Sequence, residues 1–256
     1  MDTELERPFL TAAWRYLAML NYEVEPSILE PLLPAGLELD LWHGKALVSV
    51  VGFRFLDTRL LGVTIPGHTN FDEVNLRFYV RRQVADGDWR RGVVFVREIV
   101  PRRAIAWVAR WLYHEPYVRL PVRHNVSMAE AHSGNAGTVE YRWQLGGKWH
   151  SIAVQTNSRP SQFAVGSEEA FITEHYWGYT RISADRTAEY GVAHPPWRVW
   201  PAASASLDCD VARLYGEVFA EPLSAPPHSA FVAEGSEIVV YRGRYLDDTG
   251  DTGAAA

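Results

Sequence analysis

The stretch "FDEVNLRFYV" (residues 71–80) alternates as a half-buried β-strand does: Val74, Leu76, Phe78 and Val80 form one apolar face at a period of two. The opposite face carries Glu73, Asn75, Arg77, Tyr79 and Arg81. At about 3.3 Å of rise per residue, neighbours on that face stand roughly 6.5–7 Å apart, so a carboxyl, an amide and a guanidinium share one strip. Spacing alone leaves two readings open. The strip is a solvated strand face with a Glu–Arg pair worth at most about 1 kcal/mol, or it walls a cavity. In a cavity, Arg77 can grip a carboxylate bidentately and Glu73 can move a proton.

Working outward, "ADGD" (85–88) turns this strand into "WRRGVVFVREIV", which predicts a hairpin. Upstream, "EVEPSILEPLLPAG" (23–36) predicts a short helix with Pro26 in its first turn, and "LELDLW" and "KALVSVVGFRFL" predict two strands joined at His43-Gly44. Downstream, "RRAIAWVARWLY" (102–113) has helical spacing. Residues 138–156 predict a hairpin turning at Gly146-Gly147, Ser167 caps a short helix, and a strand is expected over 187–193. Asp208 is expected to cap "CDVARLYGEVFAE", and 229–245 to close with a last hairpin. About ten strands without β-α alternation imply an α+β fold on an antiparallel sheet long enough to close into a barrel. The sequence predicts one domain over 1–246 and an unstructured tail over 247–256, where no apolar side chain anchors the chain.

The whole chain of 256 residues is 47% apolar, which suffices for a substantial core. Ten Trp and twelve Tyr suit pocket walls as well as a plain core. A formal charge of -6 with no basic stripe argues against nucleic acid as a partner. Cys209 is the sole cysteine, so no intramolecular disulfide can form, and its neighbours Asp208 and Asp210 mark it as a structural thiol. With no secretory segment and no apolar run near the roughly 20 residues needed to span a bilayer, a cytoplasmic protein without membrane contact is expected.

Phosphate-binding glycine loops, H-E-x-x-H, G-x-S-x-G and C-x-x-C are all missing, and nine histidines lie without metal-ligand spacing, so no cofactor or metal is expected. In "AFITEHYWGYT" (170–180), Glu174 and His175 sit among aromatic rings, where a carboxyl and an imidazole acquire shifted pKa values or simply satisfy a helix end. In "VAHPPWRVWPA" (192–202), prolines stiffen the chain, and His194 and Trp197 either wall a pocket or pin a strand end.

"YLAMLNYEVEPSILEPLLPAGLELDLWHGKALVSVVGF", "IPGHTNFDEVNLRFYVR", "ARWLYHEPY", "FITEHYWGY" and "HPPW", in that order, resemble the DUF2071 (YqjF-like) family of uncharacterised proteins, from about Pro8 to Tyr245. That family is similar in turn to acetoacetate decarboxylase, and the resemblance implies a cone-shaped antiparallel β-barrel with flanking helices and a ligand cavity. It also implies that Glu73 points into the cavity and that Arg15 grips a substrate carboxylate, with Asn75 and Arg77 on Glu73's face. The decarboxylase acts through a lysine that follows a proline and forms a Schiff base with the substrate ketone. Acetoacetate decarboxylase is itself a standard example of a lysine activated by a neighbouring cation. Here Pro116 is followed by Tyr117 and Val118, and Lys45 and Lys148 are the only lysines in the chain. Tyrosine cannot form an imine, so Schiff-base decarboxylation is excluded.

The expectation is a cavity for a small organic acid or carbonyl compound. In an enzyme doing lyase, hydratase or isomerase chemistry, Glu73 or Glu174 would be the general acid/base, Tyr117 a proton donor, and Arg15 and Arg77 the anion clamp. Asn75, His175, His194 and Trp197 would complete the binding surface. The rivals are a binding protein without chemistry and, behind it, a tyrosine-rich subunit interface in a homo-oligomer.

Overall fold

In the computed structural model, which describes residues 8–84, 87–101, 116–246 and 252–254, the decisive strand runs from Phe71 to Gln83 and is covered on both faces. The strands are β1 (Pro8–Val24), β2 (Glu38–Leu39), β3 (Ala46–Leu60), β4 (Val63–Thr64), β5 (Phe71–Gln83), β6 (Trp89–Val100), β7 (Tyr117–Arg119), β8 (Val122–Ser127), β9 (Gly137–Leu145) and β10 (Lys148–Thr156). They continue with β11 (Ser161–Gln162), β12 (Trp177–Arg181), β13 (Thr187–Ala193), β14 (Arg198–Pro201), β15 (Ser204–Asp208), β16 (Ser229–Ala233), β17 (Glu237–Tyr241), β18 (Arg244–Leu246) and β19 (Thr252–Ala254). Short helices α1 (Pro26–Leu29), α2 (Glu168–Thr173) and α3 (Val211–Tyr215) interrupt a mostly β chain. The helix expected over 102–113 lies outside the described residues.

The pairings return to their start: β1 to β17, β13, β12, β6, β5 and β3, and from β3 again to β1. A second sheet, β15-β10-β9-β8, packs on one face of this ring through Val139, Tyr141, Trp143, Ile152 and Val154, which meet Val74, Leu76, Phe78 and Val80 of β5. The approach is close. A Cβ added at Gly52 on β3 would lie 2.6 Å from the Tyr141 ring, whose hydroxyl donates to the Tyr16 carbonyl at 2.8 Å. On the other face of β5, Tyr79 joins Leu17, Met19, Phe53 and Phe171 in a separate apolar cluster, and Glu73 and Asn75 are buried beside it.

The hairpins β5–β6 and β9–β10 form as expected, the latter turning at Gly146 and Gly147, both at positive φ. Ser167 Oγ caps α2 by accepting from the Ala170 N–H. Several expectations need correction. The sheet is not purely antiparallel: β7 and β12 both pair with β6 in parallel. β2 pairs with β5, Glu38 opposite Arg81, leaving Trp42 and Lys45 as an isolated bridge to β3's start. Asp210, not Asp208, caps α3, because Asp208 still belongs to β15 and pairs with Ser151.

The expected closing hairpin is one interrupted strand. β16 and β17 both run along the same edge of β1 in one register, Ala233 opposite Leu17 and Glu237 opposite Ala13. Main-chain bonds from Trp14 N–H to Ser236 O and from Tyr16 N–H to Glu234 O bridge the gap. Gly235 serves close approach to β1 and not a chain reversal: at φ +80, its added Cβ would lie 2.1 Å from the Trp14 carbonyl oxygen. In the tail expected to be unstructured, Thr252–Ala254 pairs with β18. Pairing to an open sheet edge uses main-chain groups, so it needs no apolar anchor. No helix among the described residues is long and apolar enough to cross a membrane.

Candidate ligand-binding pocket

Two bulges decide which side chains face the inner side of the ring. On β6 the pairing with β5 shifts between Leu76 and Arg77, so that Arg77 faces Phe95 while Asn75 faces Glu98. The extra residue inverts the alternation. Val93 and Phe95 line a pocket, and Glu98, not Arg97, continues the row. On β1 the pairing with β3 shifts between Arg15 and Ala18, with Tyr16 at φ +53, so Trp14 and Leu17 line the pocket.

The pocket measures about 180 Å³. Its apolar lining includes Trp14, Phe53, Phe55, Phe71 and Phe95, of which Phe55 and Phe71 stack at 4.5 Å between ring centroids. Its polar lining includes Glu73, Asn75, Arg77, Glu98, Tyr117, Thr173, His175 and His194.

Glu73 (3% exposed), Asn75 (1%) and Glu98 (2%) form a buried cluster. Asn75 Nδ2 donates to Glu73 Oε1 at 3.0 Å, and the Glu73 and Glu98 carboxyls hydrogen-bond to each other. Burial pushes the Glu73 carboxyl up to about 7, against those hydrogen bonds and the charge of Arg77. Two carboxyl groups in contact share a proton, because both cannot ionise there. Arg77 feels the one negative charge that stays on the pair but makes no close contact with it. Its Nη2 donates to the Ile172 carbonyl at 3.2 Å, its buried Nε has no acceptor, and it forms no salt bridge among the described residues.

His175, just past α2, is held from behind. Its Nε2 donates to Asp40 Oδ2 at 3.0 Å, and Arg91 Nε donates to the same oxygen at 2.6 Å. Burial would raise the Asp40 carboxyl, but these two hydrogen bonds prevail and hold it below its ordinary value. Burial pushes the His175 imidazole down to about 4, against the bond to Asp40. The ring is packed between Tyr79 and Phe171, at 4.8 and 5.0 Å. His194 stacks on Trp197 at 4.1 Å and 16°, and Trp197 Nε1 donates to Ser236 Oγ at 2.9 Å.

Of the residues singled out in the sequence, Glu73, Asn75, Arg77, Tyr117, His175, His194 and Trp197 meet in this pocket. Tyr117 pairs beside Glu98 in the parallel β6–β7 register. Arg15 and Glu174 do not join them. Arg15, at the β1 bulge, pairs with the exposed Glu237 at 2.5 Å, because the bulge gives the inner side to Trp14 and Leu17. Glu174 ends α2 half-buried, where its charge adds to burial in raising the Tyr176 hydroxyl. Sequence reasoning missed Glu98, which only the shifted β6 register brings inward. Neither lysine lines the pocket; Lys45 pairs with Glu23 at 2.7 Å. The Cys209 thiol is pushed up to about 12 by burial and by Asp210 and Asp208, as befits a structural cysteine.

Comparison with known proteins places this architecture among acetoacetate decarboxylase-like folds. The enduracididine biosynthesis enzyme MppR, in its complex with pyruvate, superposes with a TM-score of 0.67 at 15% identity, over 94% of this chain and 91% of that one. Acetoacetate decarboxylase from Legionella pneumophila gives 0.62 at 13% identity, over 91% and 84%. At the level of sequence, the profile of DUF2071, described as an uncharacterised conserved protein, matches residues 11–237, and the chain belongs to that family. The uncharacterised protein YqjF of Bacillus subtilis (strain 168) is 28% identical over 186 residues, 72% of each chain.

Proposed function

We propose that this protein binds a small organic acid or carbonyl compound in the pocket and moves a proton on it without forming an imine. The closed ring of strand pairings supports a barrel around the ligand, tapering as the resemblance to the decarboxylase implies. The observation that carries the proposal is the buried contact of the Glu73 and Glu98 carboxyls beside an Arg77 that forms no salt bridge among the described residues. Arg77 receives the ligand's carboxylate. Glu73, with an affinity for protons matched to neutral pH, donates to or takes from the carbon or oxygen next to the carbonyl, and Tyr117 stands beside Glu98 as a second donor. Enolisation, hydration and dehydration are the reactions such a set supports.

Exchange of the C3 protons of 2-oxo acids in heavy water, followed by proton NMR, tests this without knowledge of the product. Wild type is expected to accelerate exchange, Glu73→Gln to bind the acid without exchange, and Arg77→Ala to lose binding. Acids that bind wild type with no exchange would make the pocket a recognition site alone.

A further inference from the structure

His194 is held in the pocket by a backbone hydrogen bond and by ring contacts. Its Nδ1 lies 3.0 Å from the Pro195 carbonyl oxygen, which can only accept, so Nδ1 carries the proton and Nε2 presents a lone pair. Nε2 has no partner among the described residues. The ring cannot turn away easily. It stacks on Trp197, meets Tyr176 at 4.8 Å, and lies 6.3 Å from Trp14. Burial keeps the imidazole neutral, lowering it to about 4, and the charge of Arg77 reinforces this against the Pro195 hydrogen bond. The same influence places Arg77 and His194 in one compartment.

A fixed acceptor next to a fixed cation demands a ligand with complementary groups at the same spacing. The carboxylate that Arg77 takes has no proton to give at neutral pH, so it cannot satisfy His194. A plain monocarboxylate would bury Nε2 unpaired, at a cost that removes affinity. The apolar lining adds a second requirement. A cavity of about 180 Å³ exceeds the roughly 150 Å³ that accommodates benzene in an apolar protein cavity. Phe55 and Phe71, stacked on each other, line the cavity with aromatic surface suited to a ring-sized body.

We infer that His194 is a specificity-determining residue and that the ligand is a hydroxy monocarboxylate with a ring-sized apolar body, whose hydroxyl donates to His194 Nε2. This rests on the proposed acid-binding role of Arg77 and deepens it. A site built to pair with a hydroxyl discriminates strongly against the analogue lacking it.

The test is calorimetric titration at pH 7.5 with 3-phenyllactate, 3-hydroxy-3-phenylpropionate and 3-phenylpropionate, using wild type, His194→Phe and His194→Gln, each checked for a native melting transition. One of the hydroxy acids is expected to bind wild type about 10- to 100-fold more tightly than 3-phenylpropionate. His194→Phe should erase that ratio while still binding all three acids, and His194→Gln, which keeps an acceptor oxygen, should restore part of it. Equal affinities in wild type, or a preference that survives in His194→Phe, overturn the inference and leave the acid site standing. Failure of all three acids to bind folded wild type also overturns the inference, and the acid site falls with it only if 2-oxo acids fail to bind as well.

Discussion

Replacing Glu73 with glutamine keeps the shape of the side chain and removes its titration, and stability against pH should register the difference. Burial raises the wild-type carboxyl from 4.5 to about 7. Between those values the unfolded chain has released the proton and the folded chain still holds it. The folded state then binds more protons, so stability falls as pH rises. A rise from 4.5 to about 7 corresponds to roughly 3 kcal/mol, because each pH unit is worth about 1.4 kcal/mol. His175 and His194 act in the opposite sense. Burial lowers each from 6.5 to about 4, so their contribution is present above 6.5 and is lost as pH falls toward 4. Wild type therefore sums opposing slopes, whereas Glu73→Gln loses the Glu73 slope and keeps the histidine one. The glutamine amide still donates to Glu98, so the buried pair stays hydrogen-bonded. Urea unfolding of both proteins from pH 4.5 to 8 should show the variant gaining on wild type by roughly 3 kcal/mol, all of it below about pH 7.5. Parallel curves would refute a proton held on Glu73 and, with it, the acid assigned to the pocket.

Two other outcomes follow. Borohydride added in the presence of a 2-oxo acid should leave the protein's mass unchanged, since Lys45 is engaged by Glu23 and neither lysine lines the pocket. A reduced adduct on either lysine, formed only with binding-competent protein, would reinstate imine chemistry. Gly235→Ala should lower unfolding stability by about 2 kcal/mol or more, because the new methyl meets the Trp14 carbonyl in a left-handed backbone. An unchanged urea midpoint would speak against β16 and β17 running as one strand along β1.

Much of this architecture was legible where side-chain chemistry and backbone geometry coincide. The alternation of Val74 to Val80 gave β5 its core face, Gly146 and Gly147 supply the positive φ that their turn requires, and Ser167 announced α2. Glu73, Asn75 and Arg77 were legible as one polar strip for the same reason, since nothing interrupts β5 between them. Gly235 misled because glycine signals chain freedom without saying whether the chain turns or lets a neighbour approach. Bulges leave no comparable mark, since Phe95, Val96, Arg97 and Glu98 all suit a strand with or without one.

The bulge on β6 nevertheless decides the chemistry of the pocket. Continued without it, the alternation of Val93 and Phe95 brings Arg97 to the inner side and turns Glu98 outward. Glu73 would then face a second arginine, stay ionised, and hold both cations in salt bridges, leaving neither a proton to transfer nor a free guanidinium to receive an anion. With the bulge, Arg97 turns to the opposite side, where its charge acts on Tyr215 of α3, and Glu98 meets Glu73 instead. One inserted backbone residue thus exchanges a cation for a carboxyl, raises the Glu73 carboxyl toward neutral pH, and leaves Arg77 without a salt bridge among the described residues. The proposed acid and the proposed anion site thus share one origin, so a change that restores regular pairing at Val96 should abolish both together.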